Sequence, residues 1–241
     1  MVNYIQLLKE QRNTQHKNNL YYITQLELCY NSSKMAGLNL CEADIRMIYD
    51  DNMLFADSKS FSLNSIFEVY NHFNVFDYIL DTIDEPITEE YIKTLYKKLK
   101  RNTKEELDYT ATFGNYRKRN LDTVNFTIID GKKVQSAMDT FLEEYNYLSS
   151  INITDLCNFH FKFGHIHPFA DCNGRISRLL LFKECLRYNI CPFVILADSK
   201  LDYYRGLLNY ENDNRILLSH FTQLQNIYEN VATKFNTDFE L

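Results

Sequence analysis

His167-Pro168-Phe169-Ala170-Asp171-Cys172-Asn173-Gly174-Arg175-Ile176-Ser177-Arg178 runs directly into Leu179-Leu180-Leu181-Phe182, an apolar helix pattern. Asn173-Gly174 is a suitable helix start, and the free N–H groups and dipole of such a start favour an anion. Arg175 and Arg178 stand three apart, so they share a face of that helix and can both reach one polyphosphate. Asp171 precedes them, where a carboxylate can hold a divalent cation against the same phosphates. His167 ionises near neutrality and can take a proton from an incoming hydroxyl. Ile176, Leu179 and Leu180 give the helix an inward apolar stripe.

Working outward, the chain reads as mainly α. Leu26, Cys29, Tyr30 and Ser33 have helical spacing and lead to a stop near Gly37. Ile66, Val69, Tyr70, Phe73 and Leu80 mark a second helix. Thr88 can cap a third, with Glu89 and Glu90 in its first turn and Ile92, Leu95 and Leu99 as its buried stripe. Further helical patterns fall around 136–150, 153–164, 174–188, 199–210 and 213–235. Thr123 to Ile129 is rich in Val, Phe, Thr and Ile and meets Asp130-Gly131, a hairpin turn signal, before Lys132-Lys133-Val134. The expected architecture is a helical bundle carrying one β-hairpin at 123–135.

Composition narrows the class. The 241 residues are 45% apolar and 15% aromatic, with six Gly and three Pro, which suits a packed helical domain better than a turn-rich β fold. A net charge of −6 offers no basic excess for nucleic acid. The run from Lys97 to Lys104 reads as a solvated helix end. Six cysteines without C-x-x-C spacing indicate neither a zinc site nor a disulfide framework. No membrane-length apolar run and no secretory leader are evident, so a reduced cytoplasmic setting is expected.

The opening stretch resembles the H-x-F-x-[D/E]-G-N-G-R-x-x-R signature of the Fic family, whose members mostly transfer AMP from ATP to protein hydroxyls. Cys172 is the departure, standing where the family usually has glycine. The resemblance extends over roughly 86–225, with 1–85 as an N-terminal helical region and 226–241 as a helix end and tail. Gly114-Asn115-Tyr116-Arg117 and Asp202-Tyr203-Tyr204 resemble weaker family fragments. It implies a Fic-type helical bundle whose hairpin flap, with Thr123, Val124, Asn125 and Phe126, docks the target over the active site.

It further implies protein adenylyltransferase activity with Mg²⁺ held by Asp171. His167 acts as base on a Ser, Thr or Tyr hydroxyl of a protein target or of the chain itself. Asn173, Gly174, Arg175 and the Cys172 N–H cradle the ATP phosphates, and Arg178 reaches the terminal one. Another transferred group, AMP removal, or a catalytically inactive binding module stays open, as does a homo-oligomer.

Three other readings belong to particular residues. His160, His165 and His167 fall close enough to raise a metal triad, weighed against a base role for His167 alone. The Cys172 thiol is a conceivable nucleophile if a helix N-terminus lowers its pKa, and its backbone is strained if the position needs φ > 0. Ser32-Ser33-Lys34-Met35-Ala36-Gly37 resembles the family's inhibitory helix [S/T]-x-x-x-E-[G/N], with Ala36 in place of the glutamate. In such proteins that glutamate pairs with the second motif arginine, so Arg178 is expected to be free and the enzyme released. The plain alternative is a helix end with Gly37 just beyond it.

Overall fold

The computed structural model describes residues 2–14, 16–55, 60–108, 113–122 and 127–236. Its helices in chain order are α1 (Tyr4–Thr14), α2 (Leu20–Met35), α3 (Glu42–Asp51), α4 (Leu63–Asp81), α5 (Glu89–Leu99), α6 (Lys104–Leu107), α7 (Val134–Asn146), α8 (Ile153–Ile166), α9 (Asn173–Arg187), α10 (Lys200–Leu208) and α11 (Arg215–Asn236). Short 3-10 turns at Gly131–Lys133 and Ala197–Ser199 precede α7 and α10. Local chemistry sets several starts. Asn19, Thr88 and Asn152 each accept a backbone N–H at the mouths of α2, α5 and α8.

α9 is the axis of the bundle. It packs against α1, α2, α4, α5 and α8 and is buried on every side, well beyond the single stripe its sequence suggests. One continuous core runs from Tyr4 through Ile92, Phe163 and Leu180 to Ala232, so the first 85 residues share the interior of the rest. A smaller cluster fills the angle between α2, α3 and α4, around Leu26, Cys29, Ile45 and Phe73.

The hairpin is not found. Among the described residues there is no strand, and Thr123, Val124, Asn125 and Phe126 lie outside them. The expected return strand at Lys132-Lys133-Val134 is instead a 3-10 turn entering α7, with Val134 fully buried. Asp130 accepts the Lys132 N–H at 2.8 Å, a helix-start use of the same turn chemistry. Gly131 is required there by space, because a Cβ would lie 2.5 Å from the Arg119 carbonyl oxygen. Among the described residues no helix is long and apolar enough to cross a membrane.

Candidate active site

The α8–α9 loop carries the site, and three anchors fix it. Phe169 is wholly buried, stacked on Tyr96 at 4.2 Å between ring centroids and edge-on to Tyr116 at 5.5 Å. Asn173 accepts the Phe169 N–H and donates to the Phe169 carbonyl, both at 2.8 Å. Both ends of its side chain are therefore tied to the loop. Arg117, buried, donates from Nε to the His167 carbonyl at 2.7 Å and from Nη2 to the carbonyls of Ile129 at 2.7 Å and Ile166 at 3.1 Å. Arg117 belongs to the Gly114-Asn115-Tyr116-Arg117 fragment, and its five-donor fork joins Ile129 and the end of α8 to the loop.

His167 ends α8 in the left-handed region at φ +52°, a conformation histidine tolerates better than most residues. Its Nδ1 lies 3.3 Å from the Gly164 carbonyl, which orients the ring. Burial pushes its pKa below the ordinary histidine value, and Arg117 pushes the same way; the Gly164 contact and Asp171 oppose them. The net direction favours the neutral imidazole, the form a base needs.

A cavity of about 320 Å³ opens in front of this loop, lined by His167, Asp171, Gly174, Arg178, Met35 and Ala36 among others. Asp171 keeps 56% of its side chain exposed. Burial alone would raise its pKa, but Arg175, Lys100 and the Cys172 N–H bring it below the usual carboxylate range. Behind it Glu68 of α4 bonds Lys100 from Oε1 at 2.5 Å and Arg175 from Oε2. Lys100 also lies 3.1 Å from Asp171 Oδ2 and 3.3 Å from Glu105. Lys100 is 1% exposed, the one basic residue of its run that is buried; Lys97, Arg101 and Lys104 are exposed, as a solvated helix end requires. The guanidinium of Arg175 is turned into this buried cluster, with Nη2 2.8 Å from the Cys172 sulfur.

Cys172 sits at φ +64°, so the position does demand the left-handed region. Burial pushes its thiol well up. That direction runs against a nucleophile activated by the helix end, because the thiolate is the disfavoured form. The histidines do not converge either. His160 bonds Tyr203 at 2.7 Å and Ser177 at 2.8 Å, and burial holds it at about 3. Among the described residues the ligating atoms that come together are those of Glu68, Asp171 and Cys172.

The α2 terminus does reach the motif. Ala36 lines the cavity, Gly37 follows at φ +81°, and the Leu38 N–H returns to the Ser33 carbonyl at 3.1 Å, so the helix-end reading holds as well. Arg178, expected to be free, is not. Its Nε donates to Ser32 Oγ at 2.6 Å and its Nη2 to the Ser32 carbonyl at 3.1 Å. The negative end of α2 supplies acceptors where no carboxylate exists. Gly174 leaves room for this guanidinium, since a Cβ would come 3.1 Å from Nη1.

Comparison with known proteins agrees with this geometry. Residues 86–184 match the sequence model of the Fic/DOC family. A 74-residue stretch is 40% identical to Protein adenylyltransferase Fic of Drosophila mojavensis, covering 30% of this chain and 14% of that protein. The same protein of Drosophila grimshawi matches at 40% over 74 residues, 30% of this chain and 15% of that one. The chain therefore spans only a small part of these relatives. A Fic domain containing signaling protein from Bacteroides thetaiotaomicron superposes with a TM-score of 0.80, covering 98% of this chain and 97% of that one at 20% identity. Fic-1 from C. elegans gives 0.72, with 94% and 69% covered at 20% identity. The fold is shared with these proteins, and residues 86–184 match the Fic/DOC family.

Proposed function

We propose that this protein transfers AMP from ATP to a hydroxyl of a protein side chain, its own included, with release of pyrophosphate. The observation that carries the reading is a half-buried His167 on the same cavity as Asp171, Arg178 and the start of α9. The phosphates lie against the first turn of α9, where the Gly174 and Arg175 N–H groups and the helix dipole favour negative charge. Arg178 takes the terminal phosphate. His167 accepts the hydroxyl proton as the oxygen bonds to the α-phosphorus, and the bond from that phosphorus to the bridging oxygen breaks. Positioning and charge stabilisation supply the catalysis.

Asp171 fits a Mg²⁺ ion, because its carboxylate is exposed on the cavity and keeps lone pairs beyond its bonds to the Cys172 N–H and Lys100. Mg²⁺ commonly takes one or two carboxylates together with substrate phosphates. When bound it neutralises charge on the transferred and leaving phosphates. Incubation with α-labelled ATP and Mg²⁺ should label the chain and proteins of a lysate. Binding of ATP without any labelling would favour a binding module instead.

Cys172→Gly should leave labelling intact and change stability by no more than about 1 kcal/mol. Relief of a left-handed Cβ gains about 1–2 kcal/mol. Loss of the buried thiol costs about 1 kcal/mol, and the freer unfolded chain roughly 0.5–1 kcal/mol. Urea midpoints read the balance, and collapse of labelling would restore a chemical role for the thiol.

Ala36→Glu should lower self-labelling. A carboxylate at this cavity-lining position would compete with Ser32 and with a terminal phosphate for Arg178. Equal labelling by both chains would remove the regulatory reading and leave the catalytic one.

A further inference from the structure

Lys100 lies outside the cavity lining, yet it is bonded to the one exposed carboxylate of the site. It follows the last residue of α5, is 1% exposed, and has three acidic partners from three elements: Glu68 on α4, Glu105 on α6 and Asp171 on the loop. Glu68 is itself held by Arg175 of α9. An ammonium so enclosed is largely shielded from solvent, and its field is little screened by salt. Arg175 adds a second positive group 3.7 Å from the same Asp171 oxygen.

We propose that Lys100 is a positioning residue that acts through Asp171. It orients the carboxylate toward the cavity and, as a permanent neighbouring cation, keeps the carboxylate's affinity for a divalent metal low. Metal then binds well only together with the phosphates it accompanies, so an ion without nucleotide seldom blocks the site. The sign follows from charge. A cation in contact with a carboxylate disfavours any second cation there, proton or metal, and for protons the effect is about 10- to 1000-fold. Glu68 works in the opposite sense by drawing Lys100 and Arg175 away from Asp171.

The inference rests on Asp171 as the metal-holding carboxylate of the proposed reaction, and its test needs no AMP transfer. Mn²⁺ binding to the ATP-free chain is followed by loss of the free-ion electron paramagnetic resonance signal, with Asp171→Asn as background and circular dichroism as the check on folding. Lys100→Met should bind Mn²⁺ about tenfold more tightly than the parent, or bind measurably where the parent does not. Glu68→Gln, which leaves Lys100 and Arg175 to lean on Asp171, should bind more weakly than the parent. If Lys100→Met does not fold, Lys100→Gln carries the same comparison. Unchanged or weaker binding in the lysine variant overturns the proposal, and so does weakening in both variants, the mark of a merely structural prop. Binding that follows the expected signs in a chain that labels nothing would sink AMP transfer and leave this role standing.

Discussion

His167→Asn should reduce AMP transfer by about 10²- to 10⁴-fold, the usual contribution of a positioned acid–base group, while ATP affinity stays near that of the parent. Asparagine is the informative replacement, because it tolerates the left-handed backbone that His167 adopts and so isolates chemistry from folding. Isothermal titration reads binding and labelled ATP reads transfer; transfer within tenfold of the parent would exclude His167 as base. The pH profile carries the sign of the burial. A histidine pushed below its ordinary value keeps its neutral form at lower pH. On the acid side the midpoint of the fall in rate should therefore lie below pH 6.5, the ordinary histidine value. A midpoint above that value would mean that His167 is not the titrating base.

The loop that carries this histidine was the legible part of the chain, because its information is local. Phe169 as an anchor, Thr88 as a cap and Gly37 as a helix stop each follow from a residue and its near neighbours, and each stands in the structure. Even the approach of Ser32–Gly37 to Arg178 was foreshadowed by pattern, although the bond that forms goes to Ser32 and not across the position of Ala36. What escaped reading depends on partners far along the chain. Lys100 stands in a basic run, and only Glu68, 32 residues away, and Asp171, 71 residues away, make it an interior ion. Glu68 falls among apolar helix neighbours and gives no sign of its own that it will neutralise Arg175. Asp130-Gly131 misled because one turn chemistry serves two ends. Aspartate caps a helical turn as readily as it opens a hairpin, and glycine was required by the Arg119 backbone behind it.

The same long-range burial predicts the largest loss of stability. Glu184→Ala should destabilise the fold by about 3–5 kcal/mol, the usual cost of breaking a buried ion pair from one side. Lys183 and Glu184 are both 0% exposed in the C-terminal third of α9. Lys183 donates to the carbonyls of Ile83 at 3.1 Å and Glu85 at 2.7 Å and to Glu184 Oε1 at 3.0 Å. Glu184 Oε2 accepts the Tyr145 hydroxyl at 2.6 Å and lies 3.7 Å from Arg187. Alanine would leave the Lys183 ammonium without its counter-charge and the Tyr145 hydroxyl without its acceptor, in an interior where neither finds water. A double substitution, Lys183→Met with Glu184→Leu, should recover much of the loss, because well-packed apolar groups often replace such a pair at little cost. Chemical denaturation of the two singles and the double closes the cycle. A Glu184→Ala loss below about 1 kcal/mol, the range of exposed pairs, would mean that water reaches α9, and α9 could not then be the dry axis on which the motif is built.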